Sequence, residues 1–399
     1  MDIRPELRRD PPDMRPLPPS DPVLVDRLRA EIAATGPVTF ARFMAVALAD
    51  PEHGYYATAD DRPTRSGDFL TAPELHPIFG AVLARALDEQ WRALDRPSRF
   101  LLREYGAGTG ALAEAVLRGL AADRSELRDA VAYDPVEILP ARLERIRERL
   151  AGAGFADALA GSARGSKPPL DGVIVANEFL DALPVHRVVQ RGGRLTERFV
   201  AWDTERERFE DIEAEPSTPA LAARLAAEGI ELADGQAAEI RLATDDWVAA
   251  MSGGIGRGFV TAIDYGAPAT ELYGPTRRDG TLRAYSGQRA HADPYVAVGR
   301  QDLTAHVDFT AVERAAAGPG WRTLGLTTQA EFLMGSGFGE LFAARQAAPD
   351  VEPEAYLALR ASAARLLDPR ALGGFRVLIL GRGVPADTRL PGLTYRLRA

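Results

Sequence analysis

The stretch "FLLREYGAGTGALAEAV", residues 100–116, decides the fold. Its apolar start, Phe100 to Tyr105, predicts a buried strand; Gly106, Gly108 and Gly110 predict a tight loop; the alanine-rich run from Ala111 predicts a helix. Strand, glycine loop and helix in immediate succession bring backbone N–H groups and a helix N-terminus to the carboxyl end of a strand, where a ligand can approach closely. A plain strand-to-helix turn would use glycines in the same way.

Outward from this stretch, strands and helices alternate. Strands are expected at Ala130–Asp134, more weakly at Ala156–Ala160, and at Gly172–Asn177 ("GVIVAN"), with helices near Ala111–Ala122 and Pro140–Ala151 between them. This alternation predicts an α/β fold, a doubly wound, mostly parallel sheet with an antiparallel edge strand. Upstream, two helices are expected between Asp21 and Ala49 and a third over Pro77–Ala93. Downstream, "HRVVQRGGRLTERFVAW" and "ERFEDIEAE" read as an antiparallel hairpin inserted through Gly192-Gly193, before "GFVTAIDYG" (258–266) restores the parallel pattern. "GGFRVLILGRG" and "LTYRLRA" read as a final hairpin at the sheet edge. The expected organisation is a proline-rich disordered tail (1–20), an N-terminal helical region (21–98), a ligand-binding core (99–185), an inserted hairpin or cap (186–257), and the remainder of the core (258–399) with a substrate-side insertion at 267–345.

Composition narrows the function classes. The net charge of -9 argues against a chain that grips nucleic acid or an anionic membrane. The lack of cysteine removes disulfides, thiolate zinc sites and cysteine nucleophiles, and fits a cytoplasmic protein. No stretch is apolar for the ~18 residues that a membrane span needs. His291 and His306 match no compact metal-ligand spacing, so no metal is expected.

Glu104-x-Gly106-x-Gly108-x-Gly110 is not the G-x-G-x-x-G of a dinucleotide site. An acid before alternating glycines suits S-adenosylmethionine (SAM), which has a cationic amino group and no pyrophosphate. Asp134, 24 residues beyond Gly110, stands where an acid accepts hydrogen bonds from ribose hydroxyls; Glu137 competes for that role, and helix capping is the plain alternative for Asp134. "VANEFLDALPVH" brings Asn177, Glu178 and Asp181 to the carboxyl end of the sheet, where open α/β sheets carry their chemistry. Glu178 could instead cap a helix, and Asp181 could satisfy backbone N–H groups.

Seven segments taken together, "GPVTFARFMAVALADPEHGYYA", "GDFLTAPELHPIFG", "EYGAGTGAL", "NEFLDALPVHRVV", "AIDYG", "DGTLRAY" and "QDLTAHVDFTAV", resemble the MidA-like family of SAM-dependent methyltransferases. That family includes a mitochondrial protein-arginine methyltransferase needed for respiratory complex I assembly. The matches run in order from about Gly36 to the terminal "RVLILGRG"; residues 200–250 and those after Gly339 match poorly. The resemblance implies a class I methyltransferase fold and a loop carrying Gly67 and Asp68 that closes on the cofactor. It also implies Gly106, Gly108 and Gly110 beneath the cofactor, Asp134 at the ribose, and Asn177 to Pro184 along the catalytic edge.

A guanidinium acceptor would need carboxylates to pair with it and turn a nitrogen toward the methyl group, for which Glu178 and Asp181 are the candidates. The polar segment 273–309 contains Arg283, His306 and Asp308, which could bind substrate. His306 could act as a base toward an alcohol or phenol, although a structural role is commoner. Three functions follow as expectations: methyl transfer to a protein arginine, methyl transfer to the O, N or C of a small molecule, and a non-catalytic assembly protein retaining the fold. A homodimer stays open.

Overall fold

The computed structural model describes residues 16–58, 72–159, 169–287, 289–348 and 352–397. Gly67, Asp68 and most of the expected tail lie outside these residues. At the centre is a sheet of six strands, β1 (Phe100–Tyr105), β2 (Val131–Val136), β3 (Leu170–Asn177), β4 (Ile255–Asp264), β5 (Arg322–Thr328) and β6 (Arg376–Arg382). Their spatial order is β5-β6-β4-β3-β1-β2. β1 to β4 are mutually parallel, and β6 runs antiparallel to both β4 and β5.

Parallel strands with both faces covered read as continuous apolar runs, and side chains of alternating parity separate the two layers. Phe100, Leu102, Val173, Val175, Phe259 and Ile263 face one core with α3 (Ile78–Ala93) and α4 (Ala111–Ala122). Leu101, Ile174, Ala176, Val260 and Ala262 face the other, with Trp247, Val248 and Met251 of α6 (Ala243–Ser252) and Phe309 and Val312 of α7 (Phe309–Ala317). α5 (Pro140–Gly152) follows β2 and sends Ile146 and Leu150 into the first core. α3 and α4 approach at small residues: a Cβ on Gly80 would lie 2.4 Å from the Ala115 Cβ, and one on Gly119 would lie 2.8 Å from the Ala81 Cα.

A second layer is antiparallel. His186–Arg191 and Arg194–Asp203 form the expected hairpin, turned by Gly192 and Gly193 at φ of 53° and 80°, and Arg208–Ala214, Ala237–Ile240 and Val38–Thr39 join them in a five-stranded sheet. The early helices α1 (Pro22–Thr35) and α2 (Phe40–Ala49) pack here, with Leu24, Leu28, Phe40, Phe43 and Met44 against Val200 and Phe209. The N-terminal helical region thus divides between two cores.

Three expected elements differ. Ala156–Leu159 is a 3-10 helix instead of a strand. The described residues of "LTYRLRA" form no strand; Pro391–Thr394 is a short helical turn, and β6 pairs instead with β5, whose "RTLGLTT" has too little alternation to announce a strand. Asp134 does not end its strand, which continues to Val136.

At the centre of the sheet, a Cβ on Gly172 would lie 2.2 Å from the Leu101 carbonyl oxygen, and one on Gly258 the same distance from the Gly172 oxygen. Gly172→Ala is therefore expected to lower stability by roughly 1–3 kcal/mol or more through overpacking, read as a lower urea midpoint. An unchanged midpoint would contradict the close approach of β1, β3 and β4.

Candidate functional site

The carboxyl ends of β1 to β4 converge on one edge of the sheet, and the glycine loop forms its floor. Gly106, Gly108 and Gly110 all have positive φ, at 66°, 53° and 74°. A Cβ on Gly106 would lie 2.9 Å from the Phe179 ring, and one on Gly110 3.2 Å from Ile146, whereas one on Gly108 would meet only the Gly106 oxygen at 3.8 Å. The outer two glycines thus permit packing, and Gly108 leaves the loop open to a ligand. Gly110 starts α4 without a side-chain cap, so the first N–H groups of that helix have no side-chain acceptor there.

Three acids stand around this loop in different roles. Glu104 is buried, and its Oε2 accepts a hydrogen bond from the Tyr133 hydroxyl at 2.6 Å. Burial pushes its carboxyl up to about 8; the Tyr133 bond opposes this, and the nearby Glu137 charge adds to it. Asp134, expected at the ribose, is paired within the sheet. Its Oδ2 accepts from the Arg103 Nε at 2.8 Å, in an ion pair whose side chains are 6% and 9% exposed, while Arg103 Nη1 donates to the Gly253 carbonyl. The parallel register sets Asp134 beside Arg103, one residue out of phase with the Leu102–Tyr133 pair, so it belongs to the opposite face of the sheet from Tyr133. Glu137, just past the end of β2, accepts from the Gly108 N–H at 3.1 Å and from the Ile138 N–H at 2.8 Å. Ile138 beside it is 58% exposed, an apolar face at the site's edge.

The edge beyond β3 is under backbone constraint. Glu178 has φ of 49°, rare for a residue with a side chain, and its N–H donates to the Ile263 carbonyl at 2.8 Å. The buried Asp264 carboxylate at the end of β4 accepts from three successive N–H groups, Phe179 at 3.2 Å, Leu180 at 2.9 Å and Asp181 at 3.2 Å, and from the Tyr265 N–H at 2.9 Å. The Glu178 Oε1 accepts from the Ala72 N–H at 2.9 Å and from the Asn177 side-chain amide at 3.3 Å. Among the described residues, its Oε2 and the Asn177 Oδ1 are buried without a hydrogen-bond partner. Burial pushes the Glu178 carboxyl up to about 8, with the Ala72 N–H opposing and Asp181 adding to the rise. Asp181 is buried and accepts from the Tyr265 hydroxyl.

Arg241 holds this edge from below. Its buried guanidinium donates to the carbonyls of Leu183, Asp181, Ala305 and His306 at 2.8 to 3.2 Å, tying the turn after β3 to the strand before α7. His306 comes close: its ring lies edge-on to Tyr265 at 5.4 Å, and its Nδ1 faces the Arg277 guanidinium at 3.1 Å. An arginine can only donate, so that nitrogen is an acceptor and unsuited to a base role there. Asp308 is the N-cap of α7, accepting from the Ala311 N–H at 3.1 Å. Its neighbour Glu228 is pushed up to about 8 by burial and by the Asp308 charge. Arg283 donates to the Leu282 carbonyl within a small three-stranded sheet.

The structure thus gathers Asn177, Glu178 and Asp181 with Tyr265 and His306, and gives Asp308 and Arg283 structural bonds. Sequence reasoning assigned nothing to Asp264 and Tyr265, although "AIDYG" was their signal, and nothing to Arg241, whose carbonyl partners leave no local signature. Among the described residues no group of three or more His, Asp or Glu is arranged to hold a metal ion.

Comparison with known proteins agrees with this geometry. A family model of S-adenosyl-L-methionine-dependent methyltransferases matches residues 82–327. The mitochondrial protein arginine methyltransferase NDUFAF7 homolog of Drosophila melanogaster is 30% identical over 319 residues, covering 73% of this chain and 70% of the relative. NDUFAF7 of Danio rerio is 31% identical over 345 residues, 79% and 76% of the two chains. A crystal structure of a Burkholderia thailandensis protein bound to S-adenosyl-homocysteine is similar with a TM-score of 0.80 and 33% identity, covering 95% of this chain and 98% of that one.

The raised carboxyls set a pH dependence. Glu104 and Glu178 have folded values near 8 against an ordinary 4.5, so the folded state binds more protons and stability falls as pH rises from about 4.5 to about 8. Glu104→Gln and Glu178→Gln are each expected to reduce that slope in thermal melts of the ligand-free protein. A slope unchanged in both variants would contradict the burial of these carboxyls.

Proposed function

The chain belongs to this family of S-adenosyl-L-methionine-dependent methyltransferases, and on that premise we propose that it methylates a guanidinium nitrogen of a protein arginine. The observation that carries the reading is Glu178: a carboxyl on a left-handed backbone, with one oxygen buried and without a partner among the described residues. The Asn177 Oδ1 beside it also lacks one. Once Glu178 ionises, its Oε2 and the Asn177 Oδ1 are two acceptors side by side, and a guanidinium, with five N–H donors and no acceptor, matches them. The relatives named protein arginine methyltransferases support the same choice.

The residues at the glycine loop fit SAM. Gly108 leaves open space, Glu104 is an acid near the loop for an amino group, Glu137 has a carboxylate at the end of β2 for ribose hydroxyls, and Ile138 offers an apolar face to a base. We assign the ribose role to Glu137, because Asp134 is engaged by Arg103. When bound, SAM supplies a methyl group on a sulfonium, which becomes a neutral thioether as the methyl leaves.

The chain's part is to orient the acceptor and accept a proton. An arriving cation pulls the Glu178 carboxyl down from about 8, so it ionises and pairs with the guanidinium. The acceptor gains a methyl group and loses one N–H proton, remaining singly charged; the Glu178 carboxylate is the base for that proton. Asp181, aligned by Tyr265, adds negative charge to the same edge.

Incubation with tritium-labelled SAM and a cell lysate is expected to label protein, with the label recovered as methylarginine after hydrolysis. Glu178→Gln should lower that transfer by about 100-fold or more, with S-adenosyl-homocysteine affinity nearly unchanged. Label confined to small molecules would contradict the arginine acceptor. Glu137→Ala should weaken S-adenosyl-homocysteine binding by about ten-fold or more, the loss of roughly one charge-assisted hydrogen bond. Asp134→Asn should instead lower the unfolding midpoint by leaving Arg103 poorly paired in the interior. The reverse pattern would restore Asp134 to the ribose.

A further inference from the structure

We infer that Tyr56 is a positioning residue that couples cofactor binding at the glycine loop to acceptor binding at the Glu178 edge. This rests on the acceptor reading proposed above. Tyr56 lies in the short helix Tyr55–Thr58 and is half-buried.

At the nucleoside end, the Tyr56 carbonyl accepts from Arg142 Nη2 at 2.6 Å, and the Arg142 guanidinium lies 6.0 Å over the Tyr56 ring. Arg142 Nη1 is 3.8 Å from the Glu137 Oε2, with side chains only 12% and 5% exposed, so water screens the pair weakly. That same Glu137 oxygen accepts from the Gly108 N–H in the glycine loop. At the other end, the Tyr56 hydroxyl donates to the Asp302 Oδ1 at 3.2 Å, on the segment whose Ala305 N–H donates to the Asp181 carbonyl at 3.1 Å. The Asp302 and Asp181 charges add to burial in raising the Tyr56 hydroxyl well above its ordinary value, which sets Asp181 within electrostatic reach of it. The contacts thus run Gly108, Glu137, Arg142, Tyr56, Asp302, with Asp181 alongside.

Such a chain transmits binding through order. A nucleoside held by Glu137 restricts Glu137 and Arg142, and Arg142 in turn fixes the Tyr56 ring and carbonyl. The hydroxyl is then held on Asp302 before an acceptor arrives, so the second ligand meets a smaller ordering cost than the first. Cofactor binding therefore raises acceptor affinity, and by linkage the acceptor raises cofactor affinity by the same factor.

The measurement is calorimetric titration of the full chain with the peptide acetyl-Gly-Gly-Arg-Gly-Gly-amide, with and without saturating S-adenosyl-homocysteine. The wild-type chain is expected to bind the peptide about ten-fold more tightly when S-adenosyl-homocysteine is present. Tyr56→Phe and Asp302→Ala should abolish that enhancement. Asp302→Asn keeps an oxygen for the hydroxyl and should preserve it. In all three, S-adenosyl-homocysteine affinity without peptide should stay within about two-fold of wild type, which also shows that each variant is folded. A purely structural role would weaken peptide binding equally in both conditions and leave the enhancement intact. An enhancement that survives in Tyr56→Phe, or that is missing from the wild-type chain, overturns the coupling. A wild-type chain that binds no peptide in either condition overturns the arginine-acceptor reading and the coupling with it.

Discussion

The candidate site depends on the Asp264 carboxylate. Buried at the end of β4, it collects the N–H groups of Phe179, Leu180 and Asp181, which would otherwise be unsatisfied as the chain turns away from β3. Because these three N–H groups converge on one oxygen, the residue before them is forced into the left-handed region, and that residue is Glu178. A side chain there costs on the order of 1 kcal/mol or more. The surrounding bonds sustain it, with Arg241 holding four carbonyls below and Ile263 accepting the Glu178 N–H. The result is a carboxyl aimed from a rigid turn at the edge where four parallel strands end.

The electrostatics of that edge are deliberately incomplete. Glu104 and Glu178 are both held up near 8 chiefly by burial, and one Glu178 oxygen lacks a partner among the described residues. A fold optimised for stability alone would supply one, since a buried acceptor without a partner is costly. The guanidinium acceptor proposed above would give such a site reason to lack one. Asp134 shows a contrasting solution: a buried acid whose Oδ2 is paired with the Arg103 guanidinium, which supports the sheet. Glu137 differs from both, bound by backbone N–H groups of the loop and its own turn and close to Arg142.

Much of the fold was legible in the sequence. The run from Phe100 to Val116 declared strand, loop and helix, and "GVIVAN" declared β3, because parallel strands covered on both faces are apolar throughout. β5 was not legible, since its half-exposed residues carry little periodicity, and Ala156–Leu159 was misread because a short apolar run lacks the length to separate strand from helical turn. In the site, the glycines and Asn177 to Asp181 were legible from type and order. The pairing of Asp134 with Arg103 was not: it depends on which face of β2 the side chain occupies and on how far the strand continues, which only the register with β1 reveals. Arg241 and Tyr56 act through partners distant in sequence, so no local pattern could show them.

The central claim is that Glu178 is a protonated, donor-poor carboxyl awaiting a guanidinium. It is tested most directly by following the carbon-13 carboxyl resonance of Glu178 through a pH titration, first in the free protein and then with S-adenosyl-homocysteine and an arginine peptide bound. The account predicts a midpoint near 8 in the free protein and a fall toward the ordinary carboxylate range when the peptide binds. A Glu178 already ionised at neutral pH in the free protein, or one whose titration the peptide leaves unmoved, would contradict it.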